Sequence, residues 1–168
     1  QRSRLIDSSE IIAFADLSVR ADAEAVASFV QALIAEGIAE EKIFTDLMAP
    51  AARHLGELWE EDLCTFSDVA IGLMRMQQLT LRLGADFQQM RKTSKVGPRA
   101  LFAPLPGSHH TLGILMVSDI FRREGWQVWM EFGGSEPAIL AAAAKDWFSI
   151  AGLSIGSETE VPYLANLI

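Results

Sequence analysis

From Ser8 to about Met90 the apolar residues recur every three or four positions, the spacing that lines one face of an α-helix. Val26, Phe29, Val30, Leu33 and Ile34 make one such face, and Gly37 follows where a helix would close. Ile43, Phe44, Leu47, Met48, Leu55, Leu58 and Trp59 make another. Pro50 within it predicts a kink or a later helix start, because proline has no N–H to donate. Val69, Leu73, Met76, Leu83, Phe87 and Met90 mark a long helix, with Ser67 or Asp68 as its expected cap. A weaker segment around Ile11, Ile12, Phe14 and Leu17 brings the number of helices to four. Connections as short as Arg20-Ala21-Asp22 favour antiparallel neighbours, hence a four-helix bundle over residues 1–90.

The helical period stops near Gln89. Residues 91–98 are basic and polar, end in Gly97-Pro98, and read as a linker. Beyond them short apolar runs alternate with helical stretches over residues 99–168. The runs are Ala100 to Pro104, Trp126 to Phe132 and Trp147 to Ile155. Between them lie a helix over Leu112 to Arg123 and another opening at Glu136-Pro137, and Glu158 to Ile168 begins a third. Strand and helix in alternation with short loops predict an α/β domain with a parallel sheet. A doubly wound sheet normally has about five or six strands, so this one reads as truncated after its third strand.

Composition narrows the function classes. Twenty-two acidic against fourteen basic side chains give a charge of −8, the wrong sign for binding nucleic acid directly and the right one for a basic protein partner. A single cysteine excludes a disulfide framework and a cysteine-rich zinc site, and suggests a reducing, cytoplasmic setting. No apolar run approaches the ~18 residues of a membrane span. Gln1 stands where an initiator Met would, and Pro162 to Ile168 ends inside an apolar pattern, as expected of a piece of a larger protein.

The candidate chemistry is sparse. His109 and His110 lie just past the C-terminal end of the first predicted strand, the edge at which open parallel sheets bind ligands. Neutral imidazole is a good ligand for cobalt, iron or zinc, but both residues could equally cap or approach the helix at Leu112. Trp59 could stack on a flat cofactor or fill the core. Met74, Met76 and Met90 read as core filling, Cys64 as a buried thiol, and His54 as a satisfied helix histidine. Glu57, Glu60, Glu61 and Asp62 form an acidic run, solvated or in contact with a partner. P-loop, G-x-G-x-x-G, G-x-S-x-G and His-Glu zinc patterns are absent, so catalysis is not expected.

Ser108-His109-His110-Thr111-Leu112-Gly113 resembles the D-x-H-x-x-G motif in the corrinoid-binding half of methionine synthase relatives. The resemblance places His110 as the lower axial ligand and so as the metal-binding residue, with Gly113 at the motif glycine and Ser108 at the aspartate position. The family's aspartate takes the second imidazole N–H, a role a neutral hydroxyl fills less well. Ser154 resembles the family's S-x-L serine, and Leu55-Gly56-Glu57-Leu58-Trp59 its L-G-x-x-W cap segment. Light-sensing cobalamin regulators continue with Glu-His nine residues after the tryptophan, where this chain has Val69-Ala70. A helical cap joined to a corrinoid-like domain with an altered motif is similar to the SCHIC-type (sensor containing heme instead of cobalamin) domains of the AppA, PpaA and AerR antirepressor family.

That resemblance implies a non-catalytic sensory module binding a tetrapyrrole between a four-helix cap and a flavodoxin-like, cobalamin-binding domain. Heme is the first expectation and cobalamin the second. The cofactor-binding set is His110, His109, Ser108, Gly113, Ser154 and Trp59. The implied partner is a redox- or light-responsive repressor of photosynthesis genes of the PpsR or CrtJ type, with a flavin-binding blue-light domain upstream in the AppA arrangement. Alternatives are a corrinoid carrier of a methyltransferase system and a cofactor-free interaction scaffold.

Overall fold

The computed structural model describes residues 4–90, 97–108, 110–132 and 135–167. They fall into two compact units, one up to Arg82 and one from Leu83 onward. The division lies inside a long helix; residues 91–96 of the linker expected over 91–98 lie outside the described residues.

The first unit is helical. Helix α1 (Ser8–Arg20) opens with a reciprocal cap: the Asp7 carboxylate accepts from Glu10 N at 3.0 Å, and Glu10 accepts from Asp7 N at 3.0 Å. Asp22 caps α2 (Ala23–Ala35) by accepting from Ala25 N at 2.8 Å. Past α2, Gly37 has φ +93°, and the N–H groups of Gly37 and Ile38 return to the carbonyls of Ile34 and Leu33. That pair of bonds satisfies the last carbonyls and turns the chain, as expected for this glycine. Phe14, Val26, Val30, Leu33, Phe44, Leu47, Met48, Leu55 and Met76 are buried together as the core of the bundle.

Pro50 neither starts the third helix late nor interrupts it. A short turn, α3 (Glu40–Lys42), runs into a π-helical stretch over Ile43–Met48 and directly into α4 (Ala49–Glu60). Ala49 N donates to Phe44 O across the wider turn, so the change of hydrogen-bond register precedes the proline. The cap of α5 (Phe66–Met90) also differs from expectation. Thr65 caps it, its Oγ1 accepting from Asp68 N at 3.2 Å while Asp68 Oδ2 accepts from Thr65 N and Oγ1 at 2.8 and 2.7 Å. Asp68 is therefore the third helical residue reaching back, and Ser67 takes no part in the box. Gly72 lets α5 come close to α4: a Cβ there would meet Leu55 Cδ1 at 2.6 Å.

The second unit contains strands β1 (Arg99–Pro104), β2 (Gln127–Met130) and β3 (Ile150–Ser154), all parallel in the order β2-β1-β3. They are linked by α6 (Leu112–Arg123) and α7 (Glu136–Lys145), and β3 is followed by a 3-10 turn (Glu158–Glu160) and α8 (Val161–Leu167). β1 is central and almost wholly buried. Ala100 and Phe102 face Ile114 of α6, with Phe121, Trp126, Val128 and Met130 around them. Asp119 and Arg123, one turn apart on α6, form a buried ion pair, and Arg123 also donates to Leu83 O at 3.4 Å. The α/β architecture predicted from sequence is the one observed, with β2 and β3 shorter than their apolar runs and β1 one residue longer.

Candidate functional site

The C-terminal edge of the sheet is assembled from the ends of β1 and β3. Leu105 N donates to Ser154 O at 2.9 Å, extending the pairing one residue past β1. A tight turn follows: Ser108 N donates to Leu105 O at 2.9 Å, and Gly107 takes φ +82°, a conformation glycine adopts without steric cost. The turn delivers the chain to His110 and the start of α6. Ser108 Oγ accepts from the backbone N of His110 at 3.3 Å, so this hydroxyl serves the turn and not the imidazole. His110 is exposed, and its ring lies against Gly156, two residues past β3, so closely that a Cβ there would overlap it. Gly156 is itself held by Glu160, whose carboxylate accepts from Gly156 N at 2.6 Å.

Two further features mark this edge. Gly113 lies in the first turn of α6, and a Cβ built on it would meet nothing within 4 Å. Among the described residues no close contact requires a glycine there, whereas Gly72, Gly84 and Gly152 each have a neighbour pressed against them. Ser154 Oγ is buried and has no hydrogen-bond partner among the described residues. An unpaired buried hydroxyl costs about 1–3 kcal/mol, a cost a ligand group could remove. Thus His110, Ser108, Gly113 and Ser154 come together at one edge. His109 lies outside the described residues.

Trp59 belongs to the helical unit. It is not a core aromatic: it is 48% exposed at the end of α4 and meets the exposed Phe66 edge-on, ring centres 6.1 Å apart. His54 has its Nδ1 3.9 Å from Glu57, and Cys64 Sγ lies 3.7 Å from Leu55 O. Met76 is core, as expected, but Met74 is 48% exposed; the Met90 side chain is outside the description. Among the described residues there is no cluster of three or more His, Cys, Asp or Glu that could hold a metal ion. No described helix is long and apolar enough to cross a membrane. Three features were missed in the sequence: the His110–Gly156 contact, the Asp119–Arg123 pair, and a cleft on the helical unit. Only the pair carried a signal, its spacing of four on one helix.

Residues 13–79 match the family described as the B12 binding domain. The chain is 30% identical over 128 residues to the "20.5 kDa protein in bchF-crtJ intergenic region" of Rhodobacter capsulatus, covering 76% of this chain and 67% of that one. In structure it is similar to the monomethylamine corrinoid protein of Methanosarcina barkeri, with a TM-score of 0.76, 16% identity, and coverage of 96% of this chain and 76% of that chain. At that identity the likeness concerns the fold: helices followed by a Rossmann-like parallel sheet. The chain belongs to the family of the Rhodobacter capsulatus protein, and it is built as a cobalamin-binding-like domain.

Proposed function

We propose that this chain is a non-catalytic regulatory module of the cytoplasm that holds a tetrapyrrole at the C-terminal edge of its sheet and reports its state to a transcriptional repressor. The observation that carries the ligand site is the unpartnered, buried Ser154 hydroxyl at the end of β3. It accompanies an exposed imidazole and a helix start left open at Gly113. A corrinoid is preferred to heme, because the family match and the fold likeness both point to cobalamin proteins and nothing comparable favours heme.

His110 would hold the metal through one imidazole nitrogen, Ser154 would donate its hydroxyl to the ligand, and Gly113 would admit it close to the α6 backbone. When bound, a corrinoid supplies a metal centre whose axial ligands exchange with light or redox state. Ser108 puts a neutral hydroxyl where the motif has a carboxylate, and that hydroxyl accepts from the His110 backbone N–H. His110 would therefore hold the metal more weakly than a histidine backed by aspartate. A weaker hold suits a sensor, provided the ligand binds two arrangements of the protein unequally. The regulatory reading is supported by the relative from the bchF–crtJ region, and the partner proposed with it is a repressor of the PpsR/CrtJ type.

Reconstitution tests the ligand. After incubation with hydroxocobalamin or hemin and gel filtration, corrinoid absorbance should remain with the protein and should shift or vanish in His110→Ala. A retained Soret band lost in that variant would restore heme, and retention of neither would leave an interaction scaffold. The corrinoid-carrier reading has the fold likeness in its favour and makes a different prediction. A carrier should accept a methyl group from a methylamine- or methanol-type donor system, and this chain should not.

A further inference from the structure

The acidic surplus is confined to one part of the chain. Up to Arg82 there are fourteen acidic and seven basic residues; from Leu83 on there are eight and seven. The helical unit also carries a cleft of about 780 Å³ between α1, α4 and the loop leading to α5. Its walls are Ile12, Val19, Leu55, Leu58, Leu63 and Cys64. Ile12 and Leu63 are 52% and 68% exposed there, although each is large and apolar. Such a volume lies within the range of about 300–1,000 Å³ usual for ligand sites.

The rim has the opposite character. Asp16 and Asp68 line it, and the exposed run Glu60, Glu61, Asp62 lies outside the lining, in the chain segment between the wall residues Leu58 and Leu63. One cation, Arg20, lines the cleft as well and offsets part of that charge. Arg20 is paired with Asp16, and Arg75 donates to the carbonyls of Ser18 and Val19 at 2.7 and 2.6 Å. His54 lines the cleft with its ring turned to Glu57. Asp62 holds φ +57° in the position past a helix end where glycine is usual, a conformation that aspartate adopts more readily than most side chains.

We infer that this cleft receives an amphipathic helix of a partner protein, apolar on the face that enters and rich in Lys and Arg along its flanks. Helix-in-groove binding uses apolar anchors at positions i, i+3, i+4 and i+7, and the acidic rim selects the charge of the residues beside them. A second copy of this chain would bring the same acidic rim against itself, because a two-fold interface is self-complementary. Nucleic acid is repelled for the same reason. The inference deepens the repressor reading by giving it a docking surface, and it rests on that reading only for the partner's identity.

The full chain is titrated into a fluorescent synthetic 18-residue peptide with leucines on one helical face and Lys/Arg on the other. Two controls accompany it, a scrambled sequence of the same composition and a copy with Glu at every basic position. The basic amphipath should bind at least tenfold more tightly than either. Ile12→Asp and Leu63→Asp, both at exposed positions and checked for helix content, should weaken it at least tenfold. Met74→Asp, at an exposed apolar site outside the cleft wall, should change it less than twofold. Equal binding of the scrambled peptide, or indifference to the two cleft variants, would overturn the inference. So would a dimer of the peptide-free chain that Ile12→Asp disperses, which would make the occupant a second copy. If cleft variants leave co-purification of the repressor intact, the cleft fails and the regulatory reading stands; failed cofactor loading bears on neither peptide arm.

Discussion

The contact between His110 and Gly156 joins residues from two strand ends and orients the one described imidazole at the edge of the sheet. Nothing in the sequence ties these two positions together; they meet only because β1 and β3 are neighbours in register. The place of His110 just past the first strand was legible in the alternation of apolar run and helix, whereas Gly113 and Ser154 were singled out only by resemblance to the corrinoid-binding motif. The direction of the Ser108 hydroxyl was not legible, because a hydroxyl two residues before His110 can serve either its ring or its backbone N–H. Gly156→Ala tests what the contact does. Its backbone needs no positive φ, so alanine is tolerated by the chain, but the new methyl must displace the His110 ring. Cofactor loading should fall about tenfold, a change of ~1.4 kcal/mol, with far-UV circular dichroism unchanged. Unaltered loading would mean that the ring is free to reorient and that Gly156 does not position it.

At the level of elements, periodicity located the helices of the bundle, because burial of one face imposes a repeat, and continuous apolar runs located the three strands. Boundaries and caps were less legible. Pro50 signalled a break, yet a π-helical stretch absorbed it, a change of hydrogen-bond register that no single residue announces. The start of α5 was placed two or three residues late because Asp68 is a good cap by type; its neighbour Thr65, three positions earlier, completes the box. The Thr65 hydroxyl, and then its backbone N–H, hold the Asp68 carboxyl below the ordinary aspartate range. Asp7 is lowered by Ser9 and the Glu10 N–H, and Asp146 by Arg99 and the Trp147 N–H. Carboxyls lowered in the folded state add stability above their unfolded pKa, and that stability is lost as pH falls through the folded values. Thermal unfolding should therefore vary little from about pH 7 to 5 and decline below about pH 4. Thr65→Ala should cost about 1 kcal/mol near neutrality, and its deficit should narrow in acid, where Asp68 no longer completes the box. A deficit independent of pH would detach the carboxylate from the cap.

For the whole molecule, net charge was legible as a sum, and its distribution changes what the sum means. A uniform charge of −8 would raise solubility and repel nucleic acid; a surplus held up to Arg82, beside an apolar cleft, makes a local field for a basic partner. The two cases separate by charge reversal at constant total. Glu60→Lys with Glu61→Lys changes the net charge by the same four units as Glu124→Lys with Glu158→Lys, and all four side chains are exposed. Association with a basic amphipathic peptide at low salt should slow about tenfold in the first variant and less than twofold in the second, since steering acts through nearby charges. The difference should close in ~1 M salt, where the Debye length falls to about 3 Å. Equal slowing in both would show that total charge governs association, and the position of the acidic rim would then have no part in choosing the partner.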